Sequence, residues 1–266
     1  MSNLRLFVAC VAIWGSTWLA ITFQLGLVPP EASVAWRFAL ASAILFAYCR
    51  ARRLPLAYSP RQHAWIALFG VLMFGVSYIF VYRAEQHVVS GLVAVGYSAS
   101  PLLGMGGITL VFWPEIAHLG EGGATTLGAF YTAAAVLVST LGSITAHRNN
   151  DAGLPLWQPM AWGMLYGAIF SLGVTVAIGE PLLFETTARY ALSLLYLAFL
   201  GSVLAFASYL TLLERIGPAR SGYIGVMVPI VALVISAFFE QFRWQALTFV
   251  GIAISVLGNV IILRGK

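Results

Sequence analysis

The chain has 266 residues, 61% of them hydrophobic and only 9% charged, with a formal net charge of +5. A soluble domain of this size carries about 25% charged side chains, so the composition excludes a water-soluble globular protein, and no stretch is long enough for a separate soluble domain. The two cysteines, Cys10 and Cys49, have neither a disulfide framework nor metal-ligand spacing and read as packing residues.

A membrane-spanning helix needs about 20 apolar residues. Apolar runs fall at 4–26, 32–49, 64–82, 88–105, 106–113, 124–146, 156–178, 190–213, 218–239 and 245–263. The first lacks an A-x-A-type cleavage site and is followed at once by a second, so it reads as a helix of the mature protein and not as a signal peptide. Nine runs are long enough to span, and the fifth is a fragment. Pro29-Pro30, Pro55, Pro60, Pro114, the polar run from Arg148 to Gly153, and Gly217-Pro218 mark the breaks.

An internal repeat runs through these helices. Gly70, Ser77, Tyr78, Ser90 and Gly91 recur at an offset of 131 as Gly201, Ser208, Tyr209, Ser221 and Gly222, and Pro101 corresponds to Pro229. The expected fold is therefore all-α and integral to the membrane: ten transmembrane helices as two five-helix repeats, residues 1–120 and 121–266. An odd number of helices per repeat inserts the second upside down. Inverted repeats of this kind enclose a substrate site near mid-membrane in transporters. One junction reads as incomplete. Pro229 and Gly251 are 22 positions apart, while Pro101 and Gly107 are 6 apart, so the end of helix four, its following loop and the start of helix five read as absent at the Met105–Gly106 junction.

The charges agree with ten spans. With the N-terminus in the cytoplasm, Arg5, Arg50, Arg52, Arg53, Arg61, Arg148, Arg215, Arg220, Arg264 and Lys266 fall inside. Arg83, Arg189 and Arg243 fall outside. This is the positive-inside pattern, and it puts both termini in the cytoplasm. It accounts for the net charge without a nucleic-acid partner; the lipid bilayer is the expected surrounding.

Catalytic constellations are missing from the sequence. His63, His87, His118 and His147 lie at expected helix ends or in loops, and there is no Walker loop, H-E-x-x-H or C-x-x-C. No enzyme activity, cofactor or metal is expected. Buried carboxylates that could trade a proton for a cation are also absent from the deep parts of the spans. The site candidates are aromatic and hydroxyl side chains within the helices: Trp14, Ser16 and Thr17; Tyr78 and Tyr82, which share a face at i, i+4; Tyr97; Trp162 and Tyr166; Ser208 and Tyr209; and Tyr223. Aromatic walls stack on apolar ligands while hydroxyls orient them; the alternative is that they pack helices or form the interfacial belt. Arg37 either snorkels to the outer interface or faces a cavity and attracts a carboxylate. Pro101 and Pro229, inside their helices, read as hinges for alternating access or as static kinks.

Several segments in order resemble the drug/metabolite transporter superfamily, EamA type. They are Trp14-Gly15-Ser16-Thr17, Trp36-Arg37-Phe38, Glu214-Arg215-Ile216-Gly217-Pro218-Ala219-Arg220, Val228-Pro229-Ile230-Val231-Ala232-Leu233, Glu240, and Gly251-Ile252. Within it the chain is most similar to YddG-like aromatic amino acid exporters. The resemblance implies a multi-pass protein of the bacterial inner membrane. It also implies export of a small-molecule substrate, amino acids and aromatic ones in particular, through a central cavity that opens alternately to each side. Drugs or nucleoside-like metabolites are the alternative cargo, and a membrane-embedded enzyme or receptor is the alternative class. Oligomeric state is not readable. The orientation is checked with single cysteines at positions 61 and 148: both are expected to react with an impermeant maleimide from the cytoplasmic face, and labelling from opposite faces would remove the ten-span arrangement.

Overall fold

A computed structural model describes residues 2–98 and 123–240, together with positions 249 and 253. Every regular element among the described residues is a helix: α1 (Asn3–Thr22), α2 (Pro30–Ala51), α3 (Pro60–Glu85), α4 (Ser90–Ser98), α5 (Gly123–Asp151), α6 (Trp157–Ala177), α7, made of Ala188–Leu195, Tyr196–Leu204 and Ala205–Ser221 and kinked at Gly217, and α8 (Tyr223–Phe239). Six of these are long and apolar enough to cross a membrane, and α8 is a shorter apolar helix. The fragment at 106–113, nearly all of the run at 245–263, Pro101, and the Met105–Gly106 junction lie outside the described residues.

The punctuation in the sequence becomes helix starts and stops for identifiable reasons. Pro30 and Pro60 occupy first-turn positions, where the missing N–H is no loss. Ser59 and Gln62 form a reciprocal capping box ahead of α3. Thr187 caps α7 by accepting from Tyr190 N. At the other ends, Gly153 and Gly179 take left-handed φ of 75° and 76°, and the following residues close back onto Asn149 O and Thr175 O. Helix α3 is longer than its apolar run because the capping box extends it to Pro60 and Arg83–Glu85 stay helical. Helix α7 carries on past Leu213 to Ser221 across Gly217, whose φ of 77° and ψ of 171° break the helical path.

Two helices are not α-helical throughout. Val71–Val76 in α3 and Tyr196–Leu204 in α7 are π-helical. A π stretch accommodates an extra residue in the turn, and such stretches concentrate at functional sites.

The chain forms two compact units: Met1–Phe23, Arg83–Val136 and Leu204–Lys266 make the first, and Gln24–Tyr82 with Leu137–Val203 the second. Each draws helices from both sequence halves. In the first unit α1 packs on α8 at Gly15, where a Cβ would come within 2.5 Å of Val231. The Cys10 thiol there donates to Ala205 O. The N-terminus of α4 is capped from α8. Ser90 N and Oγ donate to the Glu240 carboxylate, Ser236 Oγ donates to the same carboxylate, and Gly91 N donates to Ser236 Oγ at 2.8 Å. A carboxylate at a helix N-terminus also suits the helix dipole.

In the second unit α6 is the centre of packing. Ser42 of α2 donates to Ala161 O at 2.9 Å. Against α3, a Cβ on Gly70 would sit 2.1 Å from Gly163 O, and one on Gly167 would sit 2.9 Å from Gly70 O. The two backbones are in direct contact, as small residues allow between helices in lipid. Gly70→Ala is therefore expected to destabilise by about 1–3 kcal/mol or more, as overpacking does. Gly173→Ala, whose Cβ meets nothing within 4 Å, should be neutral or slightly stabilising. Thermal unfolding of the two variants in detergent decides this.

Candidate functional site

A charged side chain inside a membrane span is costly, so it faces protein and finds partners. Arg37 is such a case among the described residues. It lies seven residues into α2, about 10 Å along the helix axis, and is only 2% exposed. It does not run out to the surface. Its guanidinium carbon lies 4.7 Å from the Tyr78 ring and 5.2 Å from the Phe38 ring, within the range where a cation is attracted to an aromatic face. Nε donates to Ser202 Oγ at 3.4 Å. Phe38 in turn packs its ring on Phe74 and Tyr78 at 5.1 and 4.8 Å. The result is a buried cation with aromatic walls, drawn from α2, α3 and α7 within the second unit.

Neighbouring contacts hold α2 in register. Ser33 Oγ meets Tyr190 OH at 3.0 Å, and Trp36 Nε1 donates to Leu183 O at 2.9 Å. Tyr82, the face-mate of Tyr78, has no exposed surface and gives its hydroxyl proton to Gln24 Oε1 at 2.7 Å. Its contacts are those of a packing residue.

The first unit holds the second group of site candidates. Trp14 meets Phe206 edge-on at 5.1 Å and Tyr209 at 5.5 Å. Trp18, one turn further along α1, meets Tyr97 of α4 at 5.5 Å. Trp14 and Trp18 share a helix face, so α1 presents an aromatic strip flanked by α7 and α4. The hydroxyls beside it are turned inward on their own helix. Ser16 donates to Ala12 O and Ile13 O, and Thr17 to Trp14 O. Ser208 is buried on α7, and Tyr223 is 42% exposed at the start of α8. Pro229 is buried inside α8.

Trp162 and Tyr166 belong to a third cluster, in the second unit. Their rings stack at 6.0 Å. Tyr166 OH meets His63 Nδ1 at 2.9 Å, the His63 ring stands edge-on to Trp162 at 4.9 Å, and Trp162 Nε1 donates to Leu56 O. Tyr58, in the loop before α3, stands 5.9 Å from His63. Burial, and secondarily Cys49, pushes its phenol up from the ordinary value, so Tyr58 stays neutral at physiological pH.

Sequence reasoning brought forward Trp14, Tyr209, Arg37 and Tyr78 as separate candidates and placed Trp162 and Tyr166 on one face; the structure brings together Trp14 and Tyr209, Arg37 and Tyr78, and Trp162 and Tyr166. It passed over Ser202, Phe38, Phe206, Trp18 and His63. The repeat offers no signal for Ser202, because its counterpart at the same offset is Val71. Among the described residues no group of three or more His, Cys, Asp or Glu side chains is arranged to hold a metal.

Comparison with known proteins gives a consistent picture. The model of the EamA-like transporter family matches residues 2–113 and 126–264. The chain is similar to the uncharacterized inner membrane transporter YedA of Escherichia coli (strain K12), at 28% identity over 97% of this chain and 89% of that protein. It is also similar to protein PecM of Dickeya dadantii (strain 3937), at 24% identity over 95% and 88%. A solved crystal structure superposes with a TM-score of 0.66 over 99% of this chain and 97% of that one, at 16% identity, a likeness of fold.

Trp14 makes two aromatic pairs, each worth about 0.5–1.5 kcal/mol beyond area burial. Trp14→Leu is thus expected to lower stability by about 1–3 kcal/mol in denaturant titration, and Tyr223→Leu to leave it near wild type.

Proposed function

This chain belongs to the EamA-like transporter family, and from that premise we propose that it moves amino acids, aromatic ones among them, across the bacterial inner membrane by alternating access. The observation that carries the substrate class is Arg37: a buried cation on a membrane helix, walled by Tyr78 and Phe38. A guanidinium is the side chain best suited to a carboxylate, because its planar fork matches the two oxygens. The same positive charge disfavours cationic drugs. The Phe38 and Tyr78 rings beside the guanidinium are the surface on which an aromatic or apolar side chain of the substrate would stack.

The transport cycle we propose uses two oppositely inserted repeats, residues 1–120 and 121–266, that make ten helices. Supporting this, the π stretches of α3 and α7 overlap when the first is carried forward by the repeat offset of 131. Pro101 and Pro229 act as hinges in this cycle, and its direction is export. The basic residues expected inside keep both termini cytoplasmic.

Purified protein in liposomes should take up labelled phenylalanine in a time-dependent way, with competition by tryptophan. Arg37→Ala should weaken uptake of phenylalanine about tenfold or more and leave uptake of phenylalaninamide, which lacks the carboxylate, undiminished. Equal loss for both probes would assign Arg37 to scaffolding and withdraw the substrate class.

A further inference from the structure

Three helices end in the same backbone turn. The residue past the cap takes a left-handed φ and its N–H bonds to the carbonyl three residues back, while the next N–H bonds five residues back. After α5 the donors are Gly153 to Asn150 O and Leu154 to Asn149 O. After α6 they are Gly179 to Val176 O and Glu180 to Thr175 O. After α2 they are Arg53 to Arg50 O at 3.0 Å and Leu54 to Cys49 O at 2.8 Å. The left-handed position there is filled by an arginine, at φ 53°, the single non-glycine residue of positive φ among those described. Glycine enters this region without a clash, and an L side chain does so with strain. The turn itself would be served better by glycine, so the strain points to a role for the side chain.

The Arg53 charge stands in a cationic corner. Arg50, Arg52 and Arg61 lie within the same twelve positions, and all four are exposed. Among the described residues none of these four side chains meets a carboxylate, an aromatic face or a hydrogen-bond acceptor. The chain has no Asp or Glu between Glu31 and Glu85. Arg148, near the end of α5, is different: its guanidinium carbon lies 3.8 Å from the Trp65 ring centroid, and Nη1 donates to Asn149 Oδ1. The C-terminal end of α2 carries about half a negative charge, against four guanidinium groups, so the corner stays strongly cationic. One turn back along α2, Tyr48 is 40% exposed, and its ring lies 5.1 Å from Trp157 at the start of α6. Exposed Tyr and Trp at helix ends sit at the headgroup level of a bilayer, which puts the four cations at the depth of lipid phosphates.

We propose that the turn after α2 is a binding site for the headgroup phosphate of an anionic phospholipid, with Arg53, Arg52 and Arg50 as its cations, Arg61 beside them, and the Tyr48–Trp157 pair against the glycerol and upper acyl chain. The arginine at the strained position adds a cation where glycine would leave none. The aromatic pair selects a lipid over a free phosphate ion, which has no apolar part to lay on it. The site does not depend on the cargo, and its test does not involve transport.

The full chain in dodecyl maltoside is titrated with phosphatidylglycerol, phosphatidylcholine or inorganic phosphate while its unfolding temperature is followed. A saturable rise is expected with phosphatidylglycerol alone. Arg53→Gly should keep or raise the unfolding temperature without lipid, because it relieves the turn, and should raise the half-saturating phosphatidylglycerol concentration about fivefold, the effect of one cation at a lipid surface. Arg53→Lys, which keeps the charge, should stay near wild type, and so should Arg5→Ala, which removes an exposed arginine of the first unit. An unchanged half-saturation in Arg53→Gly overturns the proposal. An equal shift in Arg5→Ala overturns it too, because the attraction would then be diffuse and not a site. A response as large with phosphatidylcholine or with inorganic phosphate removes the anionic lipid as the ligand.

Discussion

Inside a bilayer a hydrogen-bonding group has no water to turn to, and the described part of this protein is organised around that constraint. Most hydroxyls in its spans settle the matter locally by donating to their own helix. Thr17, Thr22, Thr132, Thr145, Thr175 and Thr211 all bond to a carbonyl one turn back. Such bonds satisfy the group without tying it to any other helix. The polar contacts that do cross from one helix to another are few, and they therefore carry the specific geometry.

Two of these crossings differ in kind. In the first unit the Glu240 carboxylate receives Ser90 and Ser236 at the head of α4. Its negative charge is spent on backbone and hydroxyl donors and on a helix dipole, so it belongs to the scaffold that seats Tyr97. In the second unit the contacts of the Arg37 charge include two aromatic faces and the Ser202 hydroxyl. Aromatic faces attract a cation without neutralising it.

The spans and their ends were legible in the sequence because apolar length and Pro/Gly punctuation depend on solvent and backbone alone. The runs at 32–49, 64–82 and 156–178 became α2, α3 and α6 with boundaries shifted by a few residues, and the earlier start of α3 traces to the capping box of Ser59 with Gln62. The aromatic pairs at i, i+4 were legible for the same reason: helical periodicity places Trp162 over Tyr166. The π stretches were not. They replace one regular hydrogen-bond ladder with another, and Val71–Val76 and Tyr196–Leu204 are as apolar as any α-helical span. Ser202 was hidden with them, since an α-helical reading points it elsewhere. Arg37 was visible as an anomaly, but only its burial separates an anchored charge from one that reaches for the headgroups. The packing of α4 on α8, through Leu92, Val95 and Leu233 and through Ser90 on a Glu240 carboxylate 150 positions away, had no local signal in the sequence.

The contact of Gly70 with Gly163 has a mechanical consequence. Two helices that meet backbone to backbone have no side-chain cushion to shear, so α3 and α6 act at that point as a riveted pair and not as sliding rods. Deformation in α3 is then displaced to the neighbouring stretch, and the wide turn of Val71–Val76 begins at the very next residue. The rivet and the soft turn together make that helix stiff on one side and pliable on the other, with Tyr78 on the pliable side.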